Sequence, residues 1–350
     1  MIAPSKPMKA RHIPIRADWL ALRSEAVIEP ERPIIDAHHH LWDKAGNRYL
    51  LAEMLDDIAG HNVVATIFAE GKEGYRKDGP EELRSLGETE MVAAIAEESL
   101  AYPGSRTHVG AAIIGYADLG RGEAAGAILD AHVDAGRGRF RGVRNSSAWH
   151  ADPEARGSVL VQPPGMLYDP AFRAGLAELE KRGLVFDSWL YHTQLIDLVD
   201  LARDFPRLSI VLNHLGGPIG IGPYARWRGD VFEDWRCVLR RLAAQDNVSI
   251  KLGGFGMLMA GFDFQDRALP PTSEELAEAW GPYMLAAIEM FGPERAMFES
   301  NFPVDKGTAS YLVLWNAFKR IARPCTAGSK DALFFGTAAR IYGLTLPDRG

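Results

Sequence analysis

Eight short runs of β-branched and aromatic residues recur along the chain, each ending in a polar, glycine-containing or histidine-containing turn and each followed by a segment of helical periodicity. This alternation leaves few folds open. Strands separated by helix-length connections pair in parallel, and parallel sheets need helices over their faces. The runs fall at 33–38, 63–69, 108–115, 140–143, 184–190, 209–212, 248–252 and 296–299. Eight of them predict an α/β chain closed into a (β/α)8 TIM barrel. Two of the intervening helices are legible in detail. Residues 86–101 place Met91, Ile95 and Leu100 near one stripe, and 169–182 open with Asp169 before Pro170, an N-cap followed by proline in the first turn.

The barrel accounts for residues 33–345 as one domain, with no repeat, low-complexity tract or internal linker. Residues 1–32 form an N-terminal extension, Pro-rich and basic, which reads equally as an arm packed on the barrel or a neighbouring subunit and as a partly disordered tail. Residues 150–168, rich in proline and glycine after the fourth strand, read as an active-site loop. With 47% apolar and 24% charged residues the 350-residue chain can bury a large core. A net charge of −7 argues against nucleic acid as the main partner. Two cysteines, Cys237 and Cys325, are too few for a disulfide framework, and no 18-residue apolar stretch or secretory signal is present. The expectation is a cytoplasmic protein acting on a small molecule, with a homo-oligomer left open.

The chemistry gathers at strand ends. In Ile34-Ile35-Asp36-Ala37-His38-His39-His40 the side chains of an extended segment alternate, so His38 and His40 share a face suited to a divalent ion while His39 points away. His192 follows the fifth strand and His214 the sixth; in a barrel the carboxyl ends of all strands meet at one mouth. Arg144, at the fourth strand, suits a planar clamp for a substrate carboxylate or an oxyanion. Lys251 in the seventh strand could hold an anionic group or pair with Glu299, and Glu70 ends the second strand as a ligand or base. Tyr191, with Tyr75, Trp149 and Trp189, is a candidate pocket wall. Glycine runs such as Leu215-Gly216-Gly217-Pro218 lack nucleotide-binding spacing.

DAHHHLWD, the histidine after the fifth strand, NHLGGP and the final ESNFPVDK together resemble the amidohydrolase superfamily, in its amidohydrolase-related branch of sugar lactonases and pyrone-dicarboxylate lactonases. The resemblance implies a (β/α)8 barrel, hydrolysis of a lactone or related acyl bond, and a site built from the strand-one pair, the later histidines and an Asp after strand eight. Where that Asp is expected this chain has Asn301, which neither accepts a proton as a carboxylate does nor binds metal as firmly. Glu299 and Asp305 are the acids nearby that could replace it. No Lys or acid ends the fourth strand to bridge two metals. Two routes to activated water remain: one divalent ion, zinc or manganese, on His38, His40 and His192, or a metal-independent base, with Arg144 and His214 holding the substrate and oxyanion. A zinc-dependent decarboxylase and a catalytically degenerate, ligand-binding barrel are the alternatives.

Overall fold

The structure, a computed structural model, describes residues 12–156 and 162–345. Eight strands form one parallel sheet in chain order. They are β1 (Ile34–His39), β2 (Val63–Ala69), β3 (His108–Gly115), β4 (Phe140–Ser146), β5 (Val185–Trp189), β6 (Ile210–Leu212), β7 (Val248–Leu252) and β8 (Ala296–Phe298). The sheet curls until its edges meet beyond β8, where Asn301 N–H donates to the His38 carbonyl (2.8 Å) and His40 N–H to that of Phe302 (2.7 Å). This is the TIM-like α/β barrel that the strand count predicts. β4 runs three residues past its expected end, so Arg144 and Asn145 belong to the strand itself rather than to the turn after it.

The helices follow from local chemistry. In helix Pro170–Arg182 the Asp169 carboxylate accepts from Phe172 N–H (2.9 Å), Gly183 takes the left-handed turn at the other end, and Phe172, Leu176 and Leu179 go into the core. Helix Leu86–Ala101 forms where expected but buries Val92, Ala93 and Ala96. The predicted stripe is displaced: Met91 and Ile95 are half-buried, and Leu100 is 54% exposed. A small-residue face wins because the helix lies close over Gly110, where a Cβ would meet Val92 at 3.2 Å.

The described part of the extension packs on the barrel. Ile28 N–H donates to Asn316 (2.9 Å), Lys319 to the Ile28 carbonyl (2.6 Å), and Ser273 N–H to Glu25 (2.7 Å). The first eleven residues of the extension, and 157–161 of the expected active-site loop, lie outside the described residues. No helix among the described residues is long and apolar enough to cross a membrane.

Candidate active site

A pocket of about 150 Å³ opens at the carboxyl ends of the strands. His40, Glu70, Arg144, His214 and Asn301 line it, together with the aromatic walls Trp42, Tyr116 and Trp189 and the cations Lys44 and Lys72. The loop after β4 contributes Gln162 and Met166. Tyr75 and Trp149 are absent from its lining.

β1 delivers its histidines as the alternation predicts. His38 Nε2 and His40 Nε2 stand 3.3 Å apart, whereas the His39 ring turns to Thr66 Oγ1 (2.7 Å) and the Phe68 face. The Ala69 carbonyl can only accept, so His40 Nδ1, 2.9 Å away, carries the proton and Nε2 keeps its lone pair. Arg144 Nη1 donates to His38 Nε2 (3.0 Å). Its Nε is buried without a hydrogen-bond partner, 3.9 Å from Glu70 Oε1, and is therefore a donor available to a substrate oxygen.

Glu299, just beyond β8, organises the floor. Its Oε1 accepts from His214 Nδ1 (2.7 Å) and from His214 N–H (3.0 Å). Its Oε2 lies 3.1 Å from His38 Nδ1 but out of hydrogen-bond alignment, and is left without a hydrogen-bond partner. Burial pushes the Glu299 carboxyl up to about 8, against the pull of Lys251. An ionised Glu299 can only accept, so in that state His214 carries its proton on Nδ1 and Nε2 is the basic nitrogen left to the pocket. Burial, with the Arg144 and Lys251 cations, holds His38 and His214 well below the usual histidine range. Both rings are neutral at physiological pH. Gly254, at φ +75°, lets the His214 ring come so close that a Cβ there would lie 2.6 Å from it.

Several expected roles shift. Lys251 is fully buried and pairs with Asp187 (2.5 Å), not with Glu299; its ammonium lies 3.4 Å from His38 Nδ1 and does not line the pocket. Asp305 sits behind the pocket wall, accepting from Gly256 N–H (2.9 Å) and from Asn301 Nδ2 (2.7 Å), and burial raises its carboxyl to about 8. His192 is not brought to the cluster. It occupies the turn His192–Gln194, where Nδ1 accepts from Ile219 N–H (3.2 Å) and the ring packs on Tyr224, so the expected ligand set of His38, His40 and His192 is corrected. Tyr191 likewise leaves the substrate wall: its hydroxyl donates to the Arg156 carbonyl (2.5 Å) and pins the loop after β4.

Among the described residues, the three that could hold an ion are His38, His214 and Glu299, whose ligand atoms lie within 4.8 Å of one another. Two neutral imidazoles and a carboxylate with an unpartnered buried oxygen form a donor set that suits zinc or manganese.

Three residues escaped the sequence reading. Asp187 accepts from the Tyr342 hydroxyl (3.0 Å) and from Asn213 Nδ2 (3.1 Å) besides Lys251. Asp36 ties β1 to the segment after β8 by accepting from Ser300 N–H (2.8 Å) and the Tyr311 hydroxyl (3.0 Å). Their signal was present: an acid inside an otherwise apolar strand has to be partnered. Lys72 gave none, being one of many loop lysines.

The amidohydrolase family matches residues 35–344. The chain belongs to that family. An L-fucono-1,5-lactonase of Burkholderia multivorans is 30% identical over 89% of this chain and 97% of its own. A Sinorhizobium fredii protein, y4mH, is 33% identical over 88% and 98%. Among solved structures, an amidohydrolase of Burkholderia multivorans with bound zinc superposes with a TM-score of 0.69 at 26% identity, covering 89% of this chain and 99% of that one.

Proposed function

We propose that the chain hydrolyses a lactone, with His214 as general base and Arg144 on the carbonyl oxygen. The observation that carries the proposal is the Glu299–His214 contact of 2.7 Å at the floor of a pocket whose wall holds an unpartnered Arg144 donor. A base oriented through its far nitrogen by a carboxylate is the arrangement that acyl-transfer sites use to fix a tautomer and stabilise the imidazolium.

Water attacks the lactone carbonyl carbon and gives its proton to His214 Nε2, while the carbonyl π pair moves onto oxygen and is met by the Arg144 guanidinium. Collapse of the tetrahedral species breaks the ring C–O bond. The departing ring oxygen takes the proton back from His214, leaving a hydroxy acid. Glu299 stabilises the imidazolium between these steps without itself touching the substrate. In place of the His214–Glu299 hydrogen bond, His38, His214 and Glu299 would be able to hold one divalent cation, which when bound would supply Lewis acidity and a more acidic water instead of the His214 base. The similarity to an L-fucono-1,5-lactonase over nearly the whole chain supports a lactone as substrate.

A panel of sugar, muconate and pyrone lactones, assayed by proton release on protein as purified, after chelation and after zinc or manganese is restored, tests the reading. Turnover of at least one is expected. In that assay His214→Gln lowers kcat by ~10²–10⁴-fold, the usual contribution of a general base, with a smaller loss for Glu299→Gln because the amide oxygen still accepts from Nδ1. Inactivity on every lactone in all three states would sink the proposal.

A further inference from the structure

The pocket's cations are unequally committed. Arg144 is engaged with His38 and faces Glu70. Lys44 donates to the Gly71 carbonyl (3.0 Å) and lies 3.7 Å over the Trp42 ring. Lys72 also lines the pocket, but it is exposed and forms no ion pair among the described residues; its ammonium stands 5.6 Å over the Tyr116 ring.

The backbone at Lys72 is costly to hold. Its φ of +59° is left-handed, a conformation that disfavours a long side chain. Glu88, 1% exposed on helix Leu86–Ala101, clamps the loop on either side: one oxygen accepts from Gly71 N–H (2.9 Å) and from Glu73 N–H (2.8 Å). Gly87 allows the close seat, since a Cβ there would lie 2.3 Å from the Gly74 carbonyl oxygen. Burial and the nearby Glu70 raise the Glu88 carboxyl to about 8, so it takes little from the positive potential beside it. A buried acid, a tight glycine and a strained backbone together hold one uncommitted cation at the rim of an aromatic-walled pocket.

We infer that Lys72 is a specificity-determining residue that selects ligands carrying a carboxylate away from the reacting carbonyl, and that Glu88 is the positioning residue that holds it there. The inference rests on the lactonase reading for its place in the reaction, but the pocket's choice of charge stands apart from turnover. A planar carboxylate of one ring suits a volume of about 150 Å³ between Trp42, Tyr116 and Trp189. Neutral sugar lactones leave Lys72 without a partner.

Calorimetric binding of benzoate and benzamide to the full chain tests this without catalysis, since the two share a ring and differ in charge. Wild type is expected to prefer benzoate by at least ~10-fold, the scale of one charge-assisted contact. Lys72→Met brings the two affinities within ~3-fold of each other, and Lys72→Arg keeps the preference. Glu88→Ala lowers the preference as Lys72→Met does, whereas Glu88→Gln, whose amide oxygen still accepts from both N–H groups, preserves it. No benzoate binding to wild type at tens of millimolar, or an unchanged preference in Lys72→Met, overturns the role of Lys72. An unchanged preference in a folded Glu88→Ala overturns that of Glu88, and should Glu88→Ala fail to fold, loss of the preference in Glu88→Gln does the same. Lactone turnover with no charge preference separates failure of this inference from failure of the lactonase reading.

Discussion

Replacing Lys251 by methionine tests whether the floor of the site is a balanced set of charges. The Lys251 ammonium and the Asp187 carboxylate are both fully buried and lie 2.5 Å apart. Methionine fills much the same volume, so packing changes little, but Asp187 is left charged with only the Tyr342 hydroxyl (3.0 Å) and Asn213 Nδ2 (3.1 Å) to solvate it. Breaking a buried pair from one side typically costs ~3–5 kcal/mol, because the remaining charge has no water to return to. Against a total stability of ~5–15 kcal/mol that is a large fraction. The urea midpoint should fall accordingly with an unchanged denaturant slope. Lys251→Met combined with Asp187→Asn removes the stranded charge while leaving an oxygen for Tyr342 to donate to, and should regain ~2 kcal/mol over the single variant. A loss below ~1 kcal/mol for Lys251→Met, or a double variant no more stable than that single one, would refute the reasoning that the pair is electrostatically closed.

Gly254→Ala should leave the protein folded but lower kcat on any lactone it turns over by ~10-fold or more, since the added methyl would sit 2.6 Å from the His214 ring and a 1 Å displacement of a catalytic group is that costly. Wild-type kcat in that variant would show that His214 is not the base. His132 supplies a pH test remote from the site. It is buried between Ser85 Oγ (3.1 Å), Thr89 Oγ1 (2.9 Å) and the stacked Phe140 ring, with Arg76 and Glu90 the charges that act on it, and burial lowers its pKa to about 4. The unfolded chain takes up this proton near 6.5 and the folded chain only near 4, so stability falls as pH drops through that window by up to ~3 kcal/mol. Wild type should therefore lose stability relative to His132→Gln between pH 6.5 and 4 in urea unfolding, and a constant difference would contradict a buried neutral His132.

The barrel was legible because its signal is repeated eight times, and errors in single strands do not change the count. What was misread was local. Leu100 looks like a core residue by spacing, yet the helix presents alanines because Gly110 invites close approach. At the site, two-residue alternation placed His38 and His40 together and His39 apart, since strand geometry leaves no other choice. It could not place His192, whose ring depends on how the turn after β5 folds back on Ile219 and Tyr224. Lys251 and Asp187 are 64 positions apart, and only the register of β5, β6 and β7 makes them partners.

Position 301 shows why the strand-eight acid need not stand where the family resemblance expects it. Asn301 donates its amide to Asp305 Oδ1 at 2.7 Å, inside a region where both residues are buried, and Asp305 in turn holds Gly256 N–H. A carboxylate at 301 would face a second carboxylate at that distance with no water between them, and one of the two would have to stay protonated. The amide resolves the conflict by donating. The carboxylate that touches the histidines comes instead from Glu299, two residues earlier, where Lys251 and Arg144 favour its charge and His214 supplies two donors. The floor of the site then carries the buried Lys251–Asp187 pair and, beside it, Glu299, whose carboxyl burial raises to about 8, with neutral imidazoles between them. With the acid at 299 rather than 301, the carboxyl nearest the end of the eighth strand meets His214 through two hydrogen bonds, and the proposed reaction would use it through that ring.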